Sequence, residues 1–267
     1  MSSAGEEAGG TVPRAPEIKA IKWRDIWGAL RSGVADFLRA PKYGLFFGAI
    51  FAAGGLAIIA FLTIYDTLWM IIPIAIGFPL IGPFIAAGLY EVSRRLSADA
   101  PISWKAILLT VFRQRERQTG WMAFVVLFIF WVWIYQVRIL IALFMGFNTP
   151  STLDGFAQVV LTTPSGLAFL AVGTLVGAVL AFILFAATVI AMPLLLDTEI
   201  DFVTAMITSF KSVFKSPIPM LGWGVIVTLL ATLAMMPAFL GLIFVFPILG
   251  HATWHLYTRT IVRSWRD

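Results

Sequence analysis

From Tyr43 to Tyr65 the chain has no Asp, Glu, Lys, Arg or His, and comparable apolar runs recur at 68–90, 121–147, 166–196, 218–236 and 238–257. A helix rising 1.5 Å per residue needs about 20 such residues to cross the hydrocarbon of a bilayer. Inside hydrocarbon every backbone N–H and C=O must find its partner within the segment, and an isolated apolar run can do that only as an α-helix. The runs therefore predict an all-α, polytopic membrane protein with six transmembrane helices. Composition agrees: the 267 residues are 60% hydrophobic and 12% charged, whereas soluble domains are roughly 45–50% apolar and about 25% charged.

Charge orients the path. Of the 19 Lys and Arg residues, all but Arg138 fall on one side of a six-span trace. Short basic loops are retained on the cytoplasmic side, which predicts a bacterial inner-membrane protein with both termini inside. The net charge of +5 is then a property of membrane-flanking segments attracted to anionic headgroups. No nucleic-acid motif accompanies it, so nucleic acid is not an expected partner. With no cysteine, disulfides, thiolate metal sites and thiol nucleophiles are excluded. Residues 1–17 are small, polar and proline-containing and read as a disordered tail. Residues 18–267 read as a single transmembrane domain.

Between the spans lie three segments of helical period. In the first, Trp23 to Arg39, Ile26, Trp27, Leu30, Val34, Phe37 and Leu38 form a stripe, with Arg24, Asp25, Arg31, Ser32, Asp36 and Arg39 opposite. The second runs from Ser103 to Arg117 and the third from Phe202 to Lys215. An apolar stripe with a charged back suits a helix lying along the membrane surface, so three cytoplasmic-side amphipathic helices are expected. A short interfacial helix is expected over Thr152 to Leu161.

The plan repeats: an amphipathic helix, a span out, a span back. Each returning span contains proline followed by two aliphatic residues, at Pro79, Pro193 and Pro247. Arg39-Ala40-Pro41 answers Lys215-Ser216-Pro217, and Leu89-Tyr90 answers Leu256-Tyr257. Such units are parallel helical-hairpin repeats, related by an axis along the membrane normal rather than inverted.

Few residues carry chemistry. His251 and His255 are the only histidines, spaced i, i+4 on one helix face, a spacing that can place two imidazoles on one metal. The alternative is that both, with Trp254, sit at headgroup depth and bond to backbone freed by Pro247. Arg138 lies near the outer boundary of its span, where its stem can reach the interface or pair with Asp66 or Asp154. A structural or lipid-contact role is expected for Arg138, Pro79, Pro193, Pro247 and Trp254. The acids Asp197, Glu199 and Asp201 precede the third amphipathic helix, where they oppose the positive end of its dipole. Gly44/Gly48 and Gly173/Gly177 are small pairs that permit close helix contact. Prolines and glycines at Pro73, Gly77, Pro79, Gly82, Pro83 and Pro247 can free carbonyls to line a polar cavity. No catalytic set is evident.

The run FPLIGPFIAAGLYEVSRR ending at Arg95, the segment from Gly166 to Asp197 ending AMPLLLD, and FPILGHATWHLY from Phe246 to Tyr257 resemble an uncharacterised family of bacterial integral-membrane proteins. Its domain has no assigned function, and some members carry the label of a cytochrome c oxidase subunit I. That catalytic subunit needs metal-ligating histidines on several helices, whereas this chain has two on one turn. The resemblance therefore implies association with a respiratory or other energy-converting complex rather than its chemistry. The reading from sequence is a non-enzymatic accessory or assembly subunit with bound lipids and no cofactor, for which a homo-oligomer also fits. A small-solute transporter or channel is the first alternative. A metal- or haem-handling protein using His251 and His255 is the second.

Overall fold

The structure, a computed structural model, describes residues 16–65, 82–115, 119–146 and 153–262. The described elements are α1 (Trp23–Arg39), α2 (Pro41–Ile64), α3 (Gly82–Ser97), α4 (Trp104–Arg115), α5 (Thr119–Met145), α6 (Leu153–Thr162), α7 (Pro164–Thr188), α8 (Ala191–Asp197), α9 (Phe202–Lys215), α10 (Pro217–Met235) and α11 (Leu242–Thr260). Four stretches are long and apolar enough to cross a membrane: Pro41–Ile64, Gly120–Met145, Pro164–Asp197 and Pro217–Met235. The expected six are thus met by four among the described residues. Most of the expected second span, with Pro73, Gly77 and Pro79, lies outside the described residues; α3 is its described remainder. The expected sixth span is α11, which is not among the four because its second half carries His251, His255 and Arg259.

Prolines set the joints. Ala40 (φ −137°, ψ 50°) and Ser216 (φ −140°, ψ 62°) adopt nearly the same non-helical conformation, and each precedes a proline at the first turn of a span. A residue before proline is driven out of the α region, while proline itself starts a helix without losing an N–H bond. The two joints are the same device used twice. Packing repeats as well. The returning helix of each unit lies on the amphipathic helix of the next: α3 on α4, α7 and α8 on α9, and α11 back on α1. The three returning helices α3, α8 and α11 also touch one another, so the units close in a ring around them.

The expected fourth span is interrupted. Its helical hydrogen bonding breaks at Val189–Ile190, between α7 and α8, where Pro193 has no N–H for the Val189 carbonyl and the Ile190 N–H donates instead to Ser209 Oγ of α9 at 3.1 Å. Ser209 is fully buried, so Ser209→Ala leaves that N–H without a partner. A loss of about 1–2 kcal/mol is expected, read as a shift of the unfolding transition in mixed micelles; an unshifted transition would show that the break is held by something else.

The basal end, where α1, α9 and the C-terminal turns of α3, α8 and α11 meet, is sewn by the backbone. Lys19 N–H donates to Thr260 O at 2.7 Å, Val262 N–H to Glu17 O at 3.0 Å, and Ile21 N–H to Ser216 Oγ at 2.9 Å. Ile18 and Ile261 form an isolated antiparallel bridge. The folded region therefore already includes Glu17, which the sequence reading assigned to the tail. The largest fully buried side chains, Trp223, Trp254 and Tyr257, lie in the same core as Ile26, Leu89, Leu194 and Met220.

Candidate functional site

The core of the basal end is not wholly apolar, and the reason begins with one glycine. Gly33 of α1 faces α11 so closely that a Cβ there would lie 2.7 Å from Ala252 N and 2.8 Å from Ile248 O. One turn beyond this contact, Asp36 reaches His255, with Oδ2 2.7 Å from Nε2. Asp36 is only 5% exposed. It was expected on the charged, outward back of α1, and the structure corrects that: the helix turns Ile26, Ala29, Gly33, Asp36 and Phe37 inward together.

From the other side comes Ser93 of α3, fully buried, whose Oγ lies 2.8 Å from Nδ1 of the equally buried His251. The same hydroxyl lies close enough to Asp36 to favour its ionised form. The result is two hydrogen-bonded pairs brought together by three helices, His251 with Ser93 and His255 with Asp36. Burial alone would push the Asp36 carboxyl upward, but the hydrogen bond to His255, the nearby Ser93 hydroxyl and the charges of both histidines outweigh it and hold the group below its ordinary 3.8. Beyond the ring, Arg259 donates from one nitrogen to His255 O at 3.0 Å and from another to Ser32 Oγ at 3.1 Å, tying α11 to α1.

A second polar group borders the first on α3. Glu91 is fully buried. Its two oxygens accept from Arg94 Nε at 2.8 Å, Arg94 Nη2 at 2.9 Å and Arg95 Nε at 2.6 Å. Arg95 also donates to Pro101 O at 2.9 Å. Asp197 at the end of α8 accepts from Tyr257 OH at 2.8 Å and adds to the negative field that favours the charged form of Arg94, after the hydrogen bonds that Arg94 donates to Glu91. Buried carboxylates persist only when paired in this way.

The residues singled out from sequence divide accordingly. His251 and His255 do share a face of α11, but they bond to side chains of α3 and α1 inside the bundle, not to backbone freed by Pro247 at headgroup depth. Trp254, expected as an interfacial anchor, is fully buried, and its Nε1 has no hydrogen-bond partner among the described residues. Pro247 is buried within α11 and Pro193 within α8, while Pro79 lies outside the described residues. Arg138 is exposed on α5; Asp66 lies outside the described residues. Asp201 caps α9 as expected, accepting from Thr204 N at 2.9 Å, but Asp197 faces Tyr257 instead. Gly48 packs on the Ile243 backbone and Gly44 on Phe37, whereas Gly173 has only Leu140 Cδ1 within 4 Å, at 3.6 Å.

A metal would have to use the imidazoles of His251 and His255. Among the described residues no group of three or more His, Asp or Glu is placed to hold one. The sequence reading missed Asp36, Ser93 and Glu91. The one signal for Asp36 was its place one turn after Gly33, a residue small enough to mark a helix crossing.

Residues 71–197 match the model of a family described as predicted integral membrane protein (DUF2189). No curated protein matches the chain. No solved structure matches it either. The matched segment contains Glu91, Ser93, Arg94 and Asp197 and stops before α11, so the run from Phe246 to Tyr257 lies outside it. It supports an uncharacterised integral-membrane family, for which the oxidase label is not shown.

Proposed function

We propose that this integral membrane protein works without catalysis, as an accessory or assembly subunit that packs laterally against a larger membrane complex, such as a respiratory or other energy-converting one. The observation that carries this reading is the bareness of two spans. Only 11% of the apolar window of Gly120–Met145 and 17% of that of Pro217–Met235 are buried. On α5 the exposed side carries an aromatic ladder, Phe124, Phe128, Trp131 and Tyr135, with successive ring centroids 6.4, 6.3 and 4.6 Å apart. Rigid aromatic surface of this kind contributes much contact area for little entropy lost. The basal end, with its basic segments, faces the cytoplasm in this reading, which places both termini there.

Photo-crosslinkers at Phe128 and Trp131, activated in native membranes, test it. One discrete protein adduct, reproduced at both positions and absent for a crosslinker at the buried Met122, is the expected result. Lipid adducts alone, with every membrane complex intact after deletion of the protein, would end the proposal.

A second reading, movement of a proton or small solute, draws on the His251–Ser93 and Asp36–His255 pairs, because ionisable groups inside a membrane protein are costly and commonly functional. Proton flux into liposomes that is lost in Asp36→Asn would favour it over lateral packing.

A further inference from the structure

Two helices of the collar carry the same exposed pattern, although only one of them has a face buried on α11. At about 100° per residue, Trp23, Trp27, Val34 and Leu38 of α1 fall within roughly 60° of one another, and Arg24 and Arg31 occupy about the next 40°, with Arg39 beyond. These apolar side chains are 43%, 56%, 40% and 69% exposed, and the three arginines are exposed too. On α9, Val203, Ile207 and Phe214 fall within roughly 40° and are 42%, 46% and 64% exposed, and the exposed Lys211 and Lys215 follow on the same flank. Both helices end in the matching joint before a proline-started span, which fixes each at the end of a membrane-crossing helix. No acidic residue is exposed on α1, or on α9 after its cap Asp201.

We infer that these two faces form a binding surface for anionic phospholipids, the apolar stripes entering the acyl boundary and the flanking cations meeting phosphate. Charge decides the class of lipid. A zwitterionic headgroup presents an ammonium as well as a phosphate, and this surface has no exposed carboxylate to receive it. An anionic headgroup presents uncompensated negative charge to five exposed cations and attracts each of them independently. Indole at Trp23 and Trp27 prefers the same depth. The inference stands apart from the lateral-packing proposal, since it concerns the collar and not the bare spans.

The test is lipid retention. The protein is reconstituted in nanodiscs with equal phosphatidylglycerol and phosphatidylcholine, released, and weighed by native mass spectrometry. The wild type is expected to keep phosphatidylglycerol about tenfold over phosphatidylcholine. The variant Arg24→Gln/Arg31→Gln/Lys211→Gln/Lys215→Gln is expected to fall below about twofold. An equal number of neutralisations off the stripes, Lys19→Gln/Lys22→Gln/Lys42→Gln/Lys105→Gln, should leave the preference standing. Should the fourfold variant not fold, the pair Arg31→Gln/Lys211→Gln is expected to lose about half of the preference. The inference is overturned by a wild type without preference, by a control that loses as much as the stripe variant, or by displacement of the lipid with inorganic phosphate. It is equally overturned if only an acidic protein, and no lipid, is retained by these cations.

Discussion

Asp36→Leu is expected to destabilise the protein by about 3 kcal/mol, measured by unfolding in mixed micelles. The substitution removes the acceptor for His255 Nε2 at 2.7 Å. It leaves the imidazole of His255 without that partner in a site where Asp36 is 5% exposed. A lone buried partner costs more than the pair was worth, because its lost hydration has nothing to replace it. The double variant Asp36→Leu/His255→Leu should therefore recover part of the loss. A double variant no better than the sum of its parts would mean that the pair is not coupled. The same carboxyl gives the pH dependence its sign. Its folded value lies below the ordinary 3.8, so its contribution is present above that value and is lost as pH falls through the lower, folded one.

Gly33→Ala is the second large effect, a net loss of about 2 kcal/mol, with Gly33→Val worse. The atoms a Cβ would meet, Ala252 N at 2.7 Å and Ile248 O at 2.8 Å, are backbone of α11 and cannot rotate aside. Alanine improves helix propensity by about 1 kcal/mol, but forcing apart α1 and α11 undoes that gain and stretches the Asp36–His255 contact one turn away. Gly173→Ala provides the contrast. Its nearest neighbour is Leu140 Cδ1 at 3.6 Å, an ordinary contact, so there the propensity gain should appear as neutral or stabilising behaviour. Equal outcomes at the two glycines would sink the account of the crossing.

How much of this was legible in the chain follows from which forces act locally. The limits of α1 at Trp23–Arg39 and of α9 at Phe202–Lys215 could be read directly, because Pro41 and Pro217 stop helices by sterics that need no neighbour. The joint at Ser216 was legible as an echo of Ala40 for the same reason. At the interruption at Val189–Ile190 the sequence showed only half of the device: Pro193 cannot bond the carbonyl of Val189 four residues before it, whereas the partner of the Ile190 N–H, Ser209, lies on another helix. The site was the least legible part. Reading α1 as two-faced put Asp36 with the arginines, yet the helix has three environments. One side packs on α11, one apolar stripe is exposed, and one flank carries cations. A period of 3.6 separates inside from outside but cannot tell two apolar faces apart.

The sequence by itself determined that apolar helices had to form and where prolines had to end them, because hydrocarbon leaves a backbone no partner but itself and sterics act between neighbours in the chain. Tertiary structure alone decided that α11 lies among α1, α2, α3 and α10, that Gly33 brings it within backbone contact of α1, and that Ser93 meets His251 and Asp36 meets His255. Asp36 and His255 are 219 positions apart. A pairing over that separation depends on desolvation and distance in three dimensions, quantities that no local pattern encodes.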